Sequence, residues 1–142
     1  MFLFVVRRLH WLARVPLLPQ LFDALLLTWT CVARRPRLAA MEELERRVLA
    51  LPGVCLRVHR FGGTEFGQAG HELGHLHGNG LLDARVAPGV AAALIAAGTV
   101  RAHHIFPPRS GWVSLPLESC ADVPLALEIL EAAAQRSSQN KR

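Results

Sequence analysis

Residues 70–86 read GHELGHLHGNGLLDARV, and the fold turns on whether they coil or extend. His71-Glu72-Leu73-Gly74-His75 is a literal HExxH string, and Gly78 lengthens it to HExxHxxG. On a helix, imidazoles at i and i+4 share a face and can hold zinc while the glutamate activates a bound water. The surroundings oppose a helix. Gly70 and Gly78 bound the string, and Gly74 at its centre costs about 1 kcal/mol relative to alanine. Asn79-Gly80 is the preferred pair for a type I′ hairpin turn, so two strands joined there are expected. Extended, His71 and His75 stand about 13 Å apart, too far to share an ion. Leu81 also stands where the third histidine of the longer zinc signature would fall. A zinc hydrolase therefore ranks last among the functional readings.

The extended reading creates a different constellation. Period two places Leu73, His75 and His77 on one face, with the two imidazoles about 6.6 Å apart and able to converge on one ion or ligand. His103-His104, on a later expected strand, offers a third imidazole, and Glu72 or Asp83 a carboxylate. The same rings also suit a half-buried polar seam that hydrogen-bonds backbone carbonyls. Both readings stay open at this level, as does the choice between no cofactor and a single divalent metal on His75, His77 and His104.

Outward from the hairpin, helix and strand periods alternate. From Leu38 the pattern is helical, with Leu38, Met41, Leu44, Val48 and Leu51 on one face and Glu42–Arg46 and Glu43–Arg47 as i,i+4 pairs, stopped by Pro52-Gly53. Val54, Leu56 and Val58 alternate as a strand, and Gly62-Gly63 turns into a short TEF strand. Pro88 to Ala97 reads as a helix closed by Gly98. His103–Phe106 and Trp112–Leu117 read as strands around a PPRSG turn. A last helix begins near Ser119 or Asp122 and carries Val123, Leu127, Leu130 and Ala134 on one face. This order predicts an α+β fold: an antiparallel sheet with helices packed mainly on one face, preceded by an apolar N-terminal helical segment.

Composition supports one domain with a distinctive leader. The chain has 142 residues, 51% of them hydrophobic, which is enough to bury a core without metal or disulfide support. Cys31, Cys55 and Cys120 are widely spaced and odd in number, which points to a reducing compartment and a cytoplasmic location. Residues 1–37 carry six arginines against one acid, Asp23, whereas residues 38–136 with the polar tail 137–142 are balanced. A neutral body excludes nucleic acid as the expected partner.

The leader's longest apolar run, Leu21 to Ala33, would extend about 20 Å as a helix, short of a hydrocarbon core of roughly 30 Å. Leu21, Phe22, Leu25, Leu26, Trp29 and Val32 recur at helical spacing, with Arg34, Arg35 and Arg37 behind them. The segment fits either an interfacial helix on an anionic membrane surface or a helix packed on the domain. Arg14 and the prolines break any signal-peptide core, and Arg7-Arg8 reads as leader charge.

The succession LPGV (51–54), HRFGGTEF (59–66), ELGHLHGNG (72–80), AAG (96–98), HH (103–104) and SGWVS (110–114) resembles the small bacterial proteins grouped with the fungal luciferase domain. The resemblance covers about residues 38–135. Its relatives often carry another residue before the glutamate and aspartate at the position of Asn79, which makes the HExxH here incidental. The fungal member oxidises a hydroxylated pyrone with molecular oxygen, so the resemblance implies an oxygenase-like oxidoreductase with Glu72, His75, His77 and His104 as site residues. Fold likeness does not carry chemistry with it. Three functions therefore stand: an oxygen-dependent enzyme with a histidine as general base on a small-molecule ligand, a non-catalytic membrane-peripheral binding module, and a structural accessory.

Overall fold

The computed structural model describes residue 15 and residues 17–139. The readings of Arg7-Arg8 and Arg14 in the leader, and of the end of the polar tail, fall outside those residues.

The decisive stretch extends. It forms β3 (His71–Leu76) and β4 (Leu81–Arg85), antiparallel, with His75 opposite Asp83. The turn between them differs from the expected type I′. Type I′ needs positive φ at both central residues, but Asn79 keeps a negative φ and only Gly80, at +77°, enters the left-handed region. The chain turns one residue earlier. Gly80 N donates to His77 O (2.8 Å), His77 N donates to Leu81 O (3.0 Å), and the Asn79 side chain accepts from Leu81 N.

Around this hairpin the sheet runs β1 (Val54–Val58), β2 (Thr64–Gln68), β3, β4, β6 (Trp112–Pro116), β5 (Arg101–Ala102), every neighbouring pair antiparallel. Helices α2 (Arg35–Leu49) and α4 (Val123–Gln139) bury Leu44, Val48, Ile129 and Leu130 against Phe66, Leu76, Leu82, Ala84 and Val113 of the sheet. The chain is therefore α+β with its core on one face of the sheet, as expected. A shorter helix, α3 (Pro88–Ala96), adds Ala91 at the edge.

Four local expectations are corrected. Phe66 lies opposite Gly74 but Gly67 lies opposite Glu72, so β3 carries an extra residue and bulges at Leu73. The bulge sends Leu73 into the core with no exposure and brings Glu72, rather than Leu73, to the face of His75 and His77. The expected strand at His103–Phe106 is a bend, because His103 Nδ1 accepts from both Ile105 N and Phe106 N at 3.1 Å. Arg46 pairs with Glu43 one turn back, not with Glu42, while Arg47 also reaches Glu43. Val58, at the open end of the edge strand β1, is 79% exposed rather than buried.

The described part of the leader is α1 (Leu18–Ala33), which packs on the domain through Asp23 and Thr30, both buried. Its apolar stripe faces outward: Leu21, Leu25, Trp29 and Val32 are all exposed. No helix among the described residues is long and apolar enough to cross a membrane.

Gly74 shows how closely β3 and β4 fit. A Cβ there would lie 2.4 Å from Asp83 O and 2.9 Å from Ala84 Cα, backbone atoms that cannot step aside. Gly74→Ala is expected to lose about 1–3 kcal/mol or more in urea unfolding, while Gly89→Ala, with nothing within 4 Å of the added methyl, stays within about 0.5 kcal/mol of wild type or gains.

Candidate functional site

The sheet face turned away from α2 and α4 is polar because the strands alternate. On β4, Leu82 and Ala84 enter the core and Asp83 between them points the other way. On β3, His75 shares that second face, and Ser114 of β6 lies opposite Asp83. Five of the chain's seven histidines gather around these residues: His59, His75, His77, His103 and His104.

Asp83 is the hub, with no exposure at all. Its Oδ2 meets His77 Nε2 at 3.2 Å, with His103 Nε2 at 3.6 Å and His75 Nε2 at 3.7 Å. The Ser114 hydroxyl donates to its Oδ1. On the other side of His77, Nδ1 stands 3.6 Å from Asp23 Oδ1, which also accepts from Gly78 N at 2.8 Å. Thus α1 supplies a carboxylate to the site. His75 Nδ1 in turn bonds Glu72 Oε1 at 2.6 Å, and the His59 ring stacks on His75 with centroids 3.9 Å apart and planes 8° from parallel.

These contacts set the charges. Burial opposes charge on His77, but hydrogen bonds to Asp23 and Asp83 and their fields prevail and raise its pKa to about 9. His77 is thus an imidazolium at neutral pH. Burial also works against ionisation of Asp83, yet His77, His103 and Ser114 hold its pKa below the ordinary value. Glu72 follows the same pattern: burial is outweighed by His75, His59 and Arg60. For His59 and His103 burial wins and the pKa falls to about 4, so both rings are neutral. Because His103 Nδ1 accepts two backbone N–H groups, its proton sits on Nε2 and faces Asp83.

The family model described as the luciferase domain matches residues 70–133. The chain carries a luciferase-like domain. No curated protein and no solved structure matches it. The matched stretch of the luciferase-like domain holds Glu72, His75, His77, Asp83, His103, His104 and Ser114. It leaves out His59 and Asp23, which reach the same cluster from β1's end and from α1.

Of the residues singled out from sequence, Glu72, His75 and His77 lie together, and His104 stacks on His103 with ring centroids 4.4 Å apart. His71, the first histidine of HExxH, is exposed on the other end of β3. Its partner His75 is buried, so the two do not form a zinc pair. Sequence reasoning missed His59 and Asp23. The signal for Asp23 was present: it is the single acid in an arginine-rich, apolar leader.

Among the described residues three groups could hold a metal, each with ligand atoms within 4.8 Å of one another: His59, Glu72 and His75; His75, His77 and Asp83; Asp83, His103 and His104. In the third, the Nε2 proton of neutral His103 removes the lone pair that would bind an ion. In the second, His77 must give up a proton first. Beside the cluster lies a cleft of about 190 Å³ lined by His71, Glu72, Arg85, Trp112, Arg136 and Ser137. Trp112 also backs the cluster, its ring 5.6 Å from His75 and 5.7 Å from His103.

The opposite shifts predict a stability optimum. His77 binds its proton more tightly folded than unfolded, so its contribution is complete below an ordinary imidazole pKa near 6.5 and is lost as pH rises towards about 9. His59 and His103 bind theirs more weakly folded, so stability falls as pH drops from about 6.5 towards 4. Urea unfolding from pH 4 to 9 is expected to peak near pH 6.5–7, and His77→Gln is expected to flatten the alkaline limb.

Proposed function

We propose that the chain is an enzyme acting on a small acidic molecule, with Glu72 and His75 as its base and dioxygen as the oxidant. The observation that carries this reading is the double position of Glu72. Glu72 lines the cleft, and its carboxylate bonds a buried imidazole whose other nitrogen faces Asp83. Such a carboxylate–imidazole–carboxylate line can take a proton at its open end and spread the charge inward. His77 is already protonated and closed in between two aspartates, which leaves it a fixed positive charge rather than a base. Glu72 touches the substrate; His75, His77 and Asp83 position it and set its charge.

Oxygen enters this reading through the luciferase-like domain. The carbon of the deprotonated substrate adds to dioxygen, forming a C–O bond, and the peroxide anion takes back the proton held by Glu72 with His75, so that substrate and dioxygen together give a hydroperoxide. An oxygen-electrode screen over phenolic and pyrone compounds tests it. Uptake by wild type is expected to fall by about 10²-fold or more in both Glu72→Gln and His75→Ala. Uptake unchanged in both variants, or none with any compound, would overturn the assignment.

A second reading places a divalent ion on His75, His77 and Asp83, and the 4.8 Å clustering of their ligand atoms favours it. Glu72 at His75 Nδ1 is then the outer carboxylate that orients a ligating imidazole. Metal analysis of protein purified without a histidine tag separates the two. A stoichiometric ion absent from His75→Ala/His77→Ala supports the ion; metal-free wild-type protein removes it.

We further propose that α1 attaches the protein peripherally to an anionic membrane surface. The support is its outward stripe of Leu21, Leu25, Trp29 and Val32, with Arg34 and Arg35 exposed at its end. Liposomes containing phosphatidylserine are expected to float wild-type protein and to leave Leu25→Glu/Trp29→Glu behind. Equal flotation of both would refute attachment through this face.

A further inference from the structure

The chain's arginines differ in what they face. Arg37 pairs with Glu118, Arg46 and Arg47 share Glu43, and Arg60 lies over the Phe61 ring. Arg85 and Arg136 have no such partner: among the described residues no carboxylate lies within ion-pair distance of either guanidinium. Yet they line the same cleft, one from the end of β4 and the other from the last turns of α4. Two like charges converging on a concavity repel unless an anion joins them. Arg136 registers this: burial, then the charge of Arg85, lowers its pKa from the ordinary guanidinium value. Arg85 is tethered through Nε to Ser110 O, which leaves its terminal nitrogens for a ligand.

The remaining walls fit an organic anion. Trp112 offers an aromatic surface, buried Ser137 adds a hydroxyl, and Glu72 stands at the side nearest the histidines. A volume of about 190 Å³ is below the roughly 300–1,000 Å³ of drug-sized pockets, so it takes one end of a molecule.

We propose that this cleft is an oxyanion site in which Arg85 and Arg136 grip a carboxylate or phosphate group of an aromatic ligand, whose ring lies against Trp112. Calling that ligand the substrate rests on the enzymatic reading above; the binding itself does not. Held this way, the anionic end is fixed at the guanidiniums and the adjoining carbon skeleton is presented to Glu72. Paired guanidiniums suit planar, bidentate recognition of such groups, which neither a lysine nor a lone arginine provides.

The test uses the full chain with Trp11→Phe and Trp29→Phe, so that Trp112 alone reports in fluorescence. Benzoate and phenyl phosphate are titrated separately, with neutral benzamide beside them. Saturable quenching by at least one anion and none by benzamide is expected, and the tighter of the two anions identifies the group recognised. Arg85→Gln and Arg136→Gln are each expected to weaken binding about tenfold or more. Arg46→Gln, away from the cleft, is expected to leave it unchanged. Saturable anion binding by wild-type protein that takes up no oxygen with any phenolic or pyrone compound would count against the enzymatic reading alone. No saturable change with either anion, or equal binding after both arginine substitutions, would overturn the oxyanion site.

Discussion

An ionised carboxylate with no exposure to water sets the terms for the rest of this structure. Asp83 sits in the middle of β4, in the interior of a six-stranded sheet, where an unpaired charge would cost several kcal/mol. It is held by an imidazolium at His77, a hydroxyl at Ser114 and the Nε2 proton of His103. Those partners come from the turn after β3, from β6 and from the bend after β5, so the charge ties three segments to one point. It also sets what can pack against these imidazoles: where α1 meets His77 it brings a carboxylate, Asp23, rather than an apolar side chain that would leave the ring nitrogen unmet.

The cluster divides its labour by burial and partner. His77 lies between Asp23 and Asp83 and is charged, whereas His59 and His103 are buried with weaker counter-charge and are neutral. Between them, His75 contacts a neutral ring, a carboxylate hub and the cleft-lining Glu72. The positive charge of His77 thus lies deep in the cluster, while Glu72 stands on the side of the cleft. At the same cleft Arg85 and Arg136 add two guanidiniums with no carboxylate partner among the described residues.

Much of this was legible in the residues. Glycines at 70, 74 and 78 and the Asn79-Gly80 pair argue for extension over coil, and the strand period then gathers His75, His77 and Asp83 without further help. Four things were hidden. A bulge leaves no mark in a run such as GHELGHLH, so which of Glu72 and Leu73 faces the histidines is decided by pairing with β2. His59 sits far from β3 in sequence and reaches it only through a two-strand meander, where local alternation says nothing about stacking. Asp23 required knowing that α1 folds back onto the hairpin turn, where Gly78 admits it: a Cβ there would lie 2.5 Å from Asp23 O. Arg85 and Arg136 look like ordinary surface arginines until β4 and α4 bring them to one cleft.

The charge state of His77 tests the account most directly. Nitrogen-15 NMR of the imidazoles reads the protonation of both ring nitrogens as pH is raised. In the wild type, His77 is predicted to carry both protons at pH 7.5 and to release one only near 9, and Asp83→Asn is predicted to move that release markedly lower. A neutral His77 ring at pH 7.5, or a titration that Asp83→Asn leaves in place, would contradict the claim that this buried ion pair organises the site.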